Sequence, residues 1–439
     1  MNKCLQVREF DTITCNKLYD GKPGFGVLDE KVFKELTEFV REYTTVNDAP
    51  DILEFMRLGY KRTIGDIITI KNYVGIIQLN SGWQIEILPK IELGNSDEAS
   101  TQTKKVFLNM LRSMKGFPGK DFSDASLKIN YMNLYEIFIN MYLQEVRLLV
   151  KHGLKSAYTT HEDNLHCFKG KLNINEQIKR NLSHQERFYM VYDEYDLNRA
   201  ENKLIKSTLL KLQSISSSYE NLKGIRQLLM SFEQVNPSSN IERDFQLVVK
   251  DRNTNDYEQL MIWSNVFLMD KSFSTFSGDT KARALLFPME KVFEAYVAKS
   301  AKKVFIPAGW DVSVQDKGFY LFDEPGRKFS LRPDLVLRRD NRIVVMDTKW
   351  KVLVDDSRSN YGISQSDMYQ MYAYGKKYVP SNSSEIWLLY PKTKSLDGYN
   401  GLSFKSNDDV NVKIYFIDLM NIESSIIYLL SLIESEASH

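Results

Sequence analysis

The chain has 439 residues, 43% of them hydrophobic and 12% aromatic, which is enough for two or three domains with their own cores. Its 58 basic and 57 acidic residues leave a net charge of +1, so it does not read as a free-standing nucleic-acid binder that works by bulk charge. Cys4, Cys15 and Cys167 are too far apart for a disulfide framework or a zinc cluster, and neither a signal segment nor a membrane-length apolar run is present, so the expected compartment is the cytoplasm.

In chain order, a helix is expected from about Glu30 to Tyr43. Strands follow over residues 64–79 and 83–88, joined at Asn80-Ser81-Gly82, so residues 1–95 form a β-rich N-terminal domain. The pattern breaks at Leu93-Gly94-Asn95-Ser96-Asp97-Glu98. Residues 96–270 are expected to be mainly helical. Leu134, Ile137, Phe138, Met141, Val146 and Leu149 mark one amphipathic helix, and Leu204, Leu209, Leu210 and Leu212 mark another. His161 and His166 lie near Cys167 but lack a fourth ligand at useful spacing, so they read as ordinary surface histidines. The Ser-rich stretch 272–278 makes the second boundary, and residues 275–439 form the last domain. Basic clusters occur at Lys169, Lys171, Lys179 and Arg180, and at Arg338, Arg339 and Arg342. Each is either a local contact for a polyanion or a solvated face.

The last domain carries the strongest local signal. Residues 287–297 read as a helix with Pro288 in its first turn and Met289, Val292, Phe293, Tyr296 and Val297 as its apolar stripe. Two β-branched apolar runs, 335–337 and 343–346, then flank Arg339-Asp340-Asn341-Arg342, which is the pattern of a β-hairpin with its tip at Asp340-Asn341. That register sets Asp334 opposite Asp347, with Cβ atoms only ~5 Å apart, and Lys349 projects from the same face. Carboxylates this close repel each other unless a cation sits between them. Acid-x-Lys also occurs at Asp29, Glu201 and Asp279, but only this copy has the Pro-Asp pair and the mirrored strands. The alternative is an edge hairpin with solvated charges; Ile343, Val344, Val345 and Met346 oppose it, because a strand apolar on both faces is buried. A second helix is expected over residues 364–374, capped by Ser364 or Ser366, and a further strand over 385–391.

This constellation resembles the PD-(D/E)xK nucleases. The resemblance implies that Asp334 and Asp347 ligate a divalent cation, usually Mg2+, and that the backbone carbonyl of Thr348 is a further ligand. It also implies that Lys349 orients or activates the attacking water and stabilises the developing charge. A preceding helix often adds an acid, for which Glu294 is the first candidate and Glu290 the second. Gln370 and Tyr374, four apart on one helix face, resemble the Gln-x-x-x-Tyr element of RecB-like nucleases.

Several phrases together look like the McrC family, the nuclease component of McrBC 5-methylcytosine restriction systems. They are Tyr73-Val74-Gly75-Ile76-Ile77, Ile85-Glu86-Ile87-Leu88-Pro89-Lys90-Ile91, Phe168-Lys169-Gly170-Lys171-Leu172, and Asp347-Thr348-Lys349-Trp350-Lys351 with Tyr369-Gln370-Met371-Tyr372. The resemblance implies an α+β multidomain protein whose C-terminal part is a mixed α/β PD-(D/E)xK nuclease core. It further implies a McrB-like AAA+ GTPase hexamer as partner, activated by the N-terminal part, and double-stranded methylated DNA as substrate. The chain contains no Gly-x-x-x-x-Gly-Lys-Ser/Thr loop, and Gly119-Lys120 is followed by Asp121, so a nucleotide-driven step falls to the partner. The alternatives are an adaptor that mainly activates the GTPase, with a weak or silent nuclease, and a stand-alone structure-specific nuclease.

Overall fold

The structure is a computed structural model describing residues 3–45, 55–91, 97–114, 117, 132–249, 254–269, 283–378, 384–393, 396 and 398–435. The expected boundaries at 93–96 and 272–278, the acid-x-Lys copy at Asp279 and the Gly119-Lys120 pair lie outside the described residues. The chain forms two compact units, one of residues 1–120 with 276–439 and one of residues 121–275. Both α and β structure occur in each, so the chain is a mixed α/β protein. Among the described residues, no helix is long and apolar enough to cross a membrane.

In the first unit the Glu30–Thr45 helix buries Val32, Phe33, Leu36, Phe39 and Val40 in a core shared with two four-stranded sheets. The run 64–79 is not one strand. Tyr73 N–H bonds back to Lys71 O at 2.7 Å, and this tight turn divides it between sheets. Gly65–Ile70 pairs with Thr12–Thr14 and Met56–Lys61, whereas Tyr73–Gln78 pairs with Gln84–Leu88 and Arg283–Pro288. Gly75 allows the last pairing. Its φ is +144°, and a Cβ there would sit 1.9 Å from Leu285 O. Arg283–Pro288 runs straight into the helix Met289–Phe305 with Pro288 at the N-cap position. Phe287, expected in that helix, is therefore a residue of a strand that shares a sheet with Cys4–Arg8, Gln84–Leu88 and Tyr73–Gln78.

The C-terminal sheet has six strands in the order Asp311–Val314, Leu335–Arg339, Arg342–Thr348, Ser384–Pro391, Asn411–Ile417, Leu402–Lys405. The hairpin register is the one its spacing predicts, from Leu335 opposite Met346 to Arg339 opposite Arg342. Asp340 at the tip has φ +53°, a conformation a short polar side chain tolerates. Arg342–Thr348 pairs in parallel with Ser384–Pro391, so the chain between them must cross over, and the helix Gln365–Tyr378 makes the crossing. Ser364 Oγ accepts from Asp367 N–H at 3.2 Å and so caps that helix. Its Met371, Tyr374 and Tyr378 pack with Val345, Ile386 and Leu388.

The second unit is built on the helices Leu134–His152, Ala200–Ile215, Tyr219–Ser231 and Asn255–Leu268. The expected stripe of Leu134–His152 is buried, as are Leu204, Leu209 and Leu212, but Leu210 is 40% exposed. Beside these helices the unit holds an antiparallel sheet of Ala157–Leu165, Phe188–Asp196 and Lys171–Leu172, which the sequence pattern does not place. His161 lies in it, bonded to Asp196 at 2.9 Å and stacked on Tyr192.

Candidate active site

Asp334 stands one residue before its strand, and Asp347 is the penultimate residue of the facing one. Extension of the register places the two acids across from each other at the end of the hairpin. Asp334 Oδ2 accepts two bonds from Thr348, from N–H at 2.7 Å and from Oγ1–H at 2.6 Å. Its Oδ1 accepts from the Gln315 amide at 3.2 Å, and the same amide donates to Glu294 Oε1 at 2.6 Å. The Met289–Phe305 helix therefore does deliver Glu294 to the hairpin acids. Glu290, one turn earlier, is exposed and accepts from Asn72 instead. Gln315 was not among the sequence candidates. It has φ +52°, and its N–H is fixed to Asp334 O at 3.0 Å.

Asp347 is 2% exposed. Lys349 Nζ forms an ion pair with its Oδ2 at 2.6 Å. Lys349 also donates to Gln370 Oε1 at 2.9 Å, and Gln370 Nε2 donates to Tyr374 Oη at 2.7 Å. The Gln370–Tyr374 pair thus orients the lysine. The next residue, Trp350, ties the site to the start of the chain: its indole N–H lies 3.1 and 3.0 Å from the two carboxylate oxygens of Glu9. Its ring meets Phe293, the neighbour of Glu294, at 5.5 Å.

The electrostatics are those of crowded acids in a dry place. Burial first, and Asp334 second, push Glu294 and Asp347 each up to about 7. Asp334 is also raised, chiefly by burial, against its two Thr348 bonds. Burial by itself would lower Lys349, but Asp347, Asp334 and Asp367 outweigh it and the ammonium is raised. Lys349 is therefore a cation at neutral pH, while Glu294 and Asp347 bind protons more tightly than ordinary carboxyls, protons that a metal ion could displace.

Among the described residues, no three His, Cys, Asp or Glu side chains stand close enough to form a complete metal cage. A hard cation that takes one or two carboxylates and keeps its waters needs no such cage. The buried Asp347 carboxylate, the opposed Asp334 and the neighbouring Thr348 backbone fit an ion of that kind. The hairpin-tip arginines are committed elsewhere. Arg338 pairs with Asp316, Arg339 with Glu434, and Arg342 with Glu385. Lys169 pairs with Glu194, and both Lys179 and Arg180 pair with Glu176.

These features define a mixed α/β protein with an acid and lysine site at the end of a central hairpin. Residues 68–391 match the family described as McrBC 5-methylcytosine restriction system component, and the chain belongs to that family. The fold is similar to a chain of the refined half-complex from the tetradecameric assembly of Thermococcus gammatolerans McrB AAA+ hexamers with bound McrC. That match has 17% identity and a TM-score of 0.66, and covers 97% of this chain and 100% of that chain. The cryo-EM structure of the Thermococcus gammatolerans McrBC complex also matches, at 18% identity and a TM-score of 0.47, over 69% of this chain and 87% of that chain. No curated protein matches the sequence.

Proposed function

We propose that this chain is the McrC-type, DNA-cutting subunit of a modification-dependent restriction system, working with a McrB-like AAA+ GTPase on double-stranded, methylated DNA. The observation that carries the cutting role is the opposition of Asp334 and Asp347 with Lys349 held beside them. Membership of the McrBC family and the absence of a phosphate loop support the partnership, since the energy of nucleotide hydrolysis must come from another chain.

Asp334, Asp347 and the Thr348 carbonyl would hold Mg2+, with Glu294 as the supporting acid. When bound, the cation supplies Lewis-acid stabilisation of the phosphoryl oxygens and of the attacking water. Lys349 Nζ, charged at neutral pH, donates a hydrogen bond to the water or to a phosphoryl oxygen as negative charge develops. Gln370, braced by Tyr374, fixes the direction of that ammonium. In an assay with the partner, GTP and methylated duplex, cutting should require a divalent cation and stop on replacement of Asp334 by Asn. Full cutting by that variant, or in excess chelator, would exclude this reading.

A further inference from the structure

Between Gln315 and Asp334, two residues of the site itself, the chain leaves the sheet and returns. Tyr320–Phe322 and Lys328–Ser330 pair antiparallel, with Tyr320 opposite Ser330 and Phe322 opposite Lys328. At the root, Phe319 packs on Tyr378 with ring centroids 4.4 Å apart, and Leu331 N–H bonds to Phe319 O. The result is an anchored arm whose two ends are the Glu294–Gln315–Asp334 cluster.

The outer part of the arm does little for folding. Phe322 is 53% exposed and Phe329 is 72% exposed, and their rings meet edge to face at 6.0 Å. Phe329 reaches that position through φ +56°, a left-handed conformation that is strained for a bulky residue. Strain that brings an aromatic ring into solvent needs a reason outside the folded core. Lys328 pairs across from Phe322 and Arg327 lies 5.8 Å over the Tyr320 ring, both exposed, and Lys317 and Arg332 are exposed nearer the root. Of the arm's acids, Asp316 pairs with Arg338 and the exposed Asp323 with Lys377, each at 2.9 Å, while Glu324 stands exposed at the turn between the strands. What the arm offers is an apolar wedge with four exposed basic side chains, Lys317, Arg327, Lys328 and Arg332, against one exposed acid without an ion pair among the described residues, Glu324. That complements a polyanion with apolar faces between its charges, which is the chemistry of duplex DNA. A protein partner would not explain why the wedge springs from the acids.

We propose that residues 316–333 are a DNA-holding arm, with Phe322 and Phe329 set against bases or sugars of the duplex and Arg327 and Lys328 against its phosphates. This rests on the nuclease reading of the adjoining acids. At full extension each limb of the arm reaches no more than about 30 Å, so the contact lies within about one turn of B-DNA from the scissile phosphate. It does not read methylation, because an inserted wedge and phosphate contacts report on shape and charge.

The test measures binding of the full-length chain to a short fluorescein-labelled duplex by anisotropy across a salt series. The variants are Phe322→Ser with Phe329→Ser, and Arg327→Gln with Lys328→Gln. The aromatic pair should weaken binding by about tenfold or more. The basic pair should reduce the slope of log affinity against log salt by about 2. Both losses should be equal on methylated and unmethylated duplexes, with unfolding temperatures unchanged because the residues are exposed. Unaltered affinity and salt slope in both variants would overturn the proposal, as would a failure of the unchanged chain to bind duplex at low salt. Loss of partner binding with DNA binding intact would also overturn it, and would make the arm a protein contact. Binding is read without cleavage, so a nuclease assay in which the acids prove dispensable would sink the reading of the site and leave this measurement standing.

Discussion

Replacement of Glu9 by Gln should flatten a pH dependence of stability that the unchanged chain carries. Glu9 is fully buried, and burial pushes its carboxyl from an ordinary 4.5 up to about 7, against the bonds from Lys90 N–H and the Trp350 indole. A carboxyl raised in the folded state binds its proton more tightly there than in the unfolded chain. Its stabilising contribution is therefore complete below pH 4.5 and is lost as pH rises through about 7. The displacement corresponds to about 3 kcal/mol. Gln at this position keeps an acceptor for both donors and carries no charge. Relative to the variant, the unchanged chain should lose about 3 kcal/mol between about pH 4 and about pH 8, seen as a difference of several degrees in unfolding temperature. Other raised acids, Glu294 and Asp347 among them, titrate in the same window, but they are common to both proteins and cancel in the comparison. Parallel stability curves for the two proteins across this range would refute the reasoning. Glu9→Ala, in contrast, should destabilise at every pH, because it leaves the Trp350 and Lys90 donors buried without an acceptor.

Three further outcomes follow from the same geometry. Because Glu294 and Asp347 hold protons up to about pH 7, the Mg2+ concentration needed for half-maximal cutting should fall as pH rises from about 6 to about 8. A flat requirement across that range would contradict the acid assignment. Lys349→Met should reduce cutting by about 10²-fold or more with little change in DNA affinity, and a loss confined to affinity would make Lys349 a binding residue instead. Deletion of residues 1–95 should not yield a clean nuclease fragment, because it removes Tyr73–Gln78, which among the described residues is the strand paired with Arg283–Pro288, and exposes Leu285, Leu286 and Phe287. A soluble, cooperatively folded fragment that still cuts DNA would show that pairing to be dispensable.

The parts of the site legible in the sequence were those set by local periodicity. Two runs that are apolar on both faces, with a polar turn between them, leave one register, and that register determines which residue opposes Asp347. Helical spacing likewise placed Gln370 with Tyr374, and the apolar stripe beside Glu294 picked it over Glu290. Gln315 could not be found this way. It is an exposed polar residue with no motif, and its importance comes from a bond to an acid 19 residues on. Glu9 is 341 positions from Trp350, so no local pattern joins them. The strand Ala157–Leu165 was missed for another reason. Its Thr-Thr-His-Glu-Asp-Asn run lacks apolar alternation, and its pairing with Phe188–Asp196 is held by backbone bonds more than by a buried face. At Lys71-Asn72 a polar pair between two apolar runs is a tight turn that sends neighbouring strands to different sheets, a break too short to be read as a boundary from spacing.

The central claim, that the hairpin acids cut DNA for a machine driven by another chain, is tested most directly by Asp347→Asn. With the AAA+ partner, GTP, Mg2+ and methylated duplex, cleavage and GTP hydrolysis would be followed in the same reaction. The account predicts that cleavage falls by about 10³-fold or more while stimulation of GTP hydrolysis is unchanged. Undiminished cleavage by the variant would contradict it.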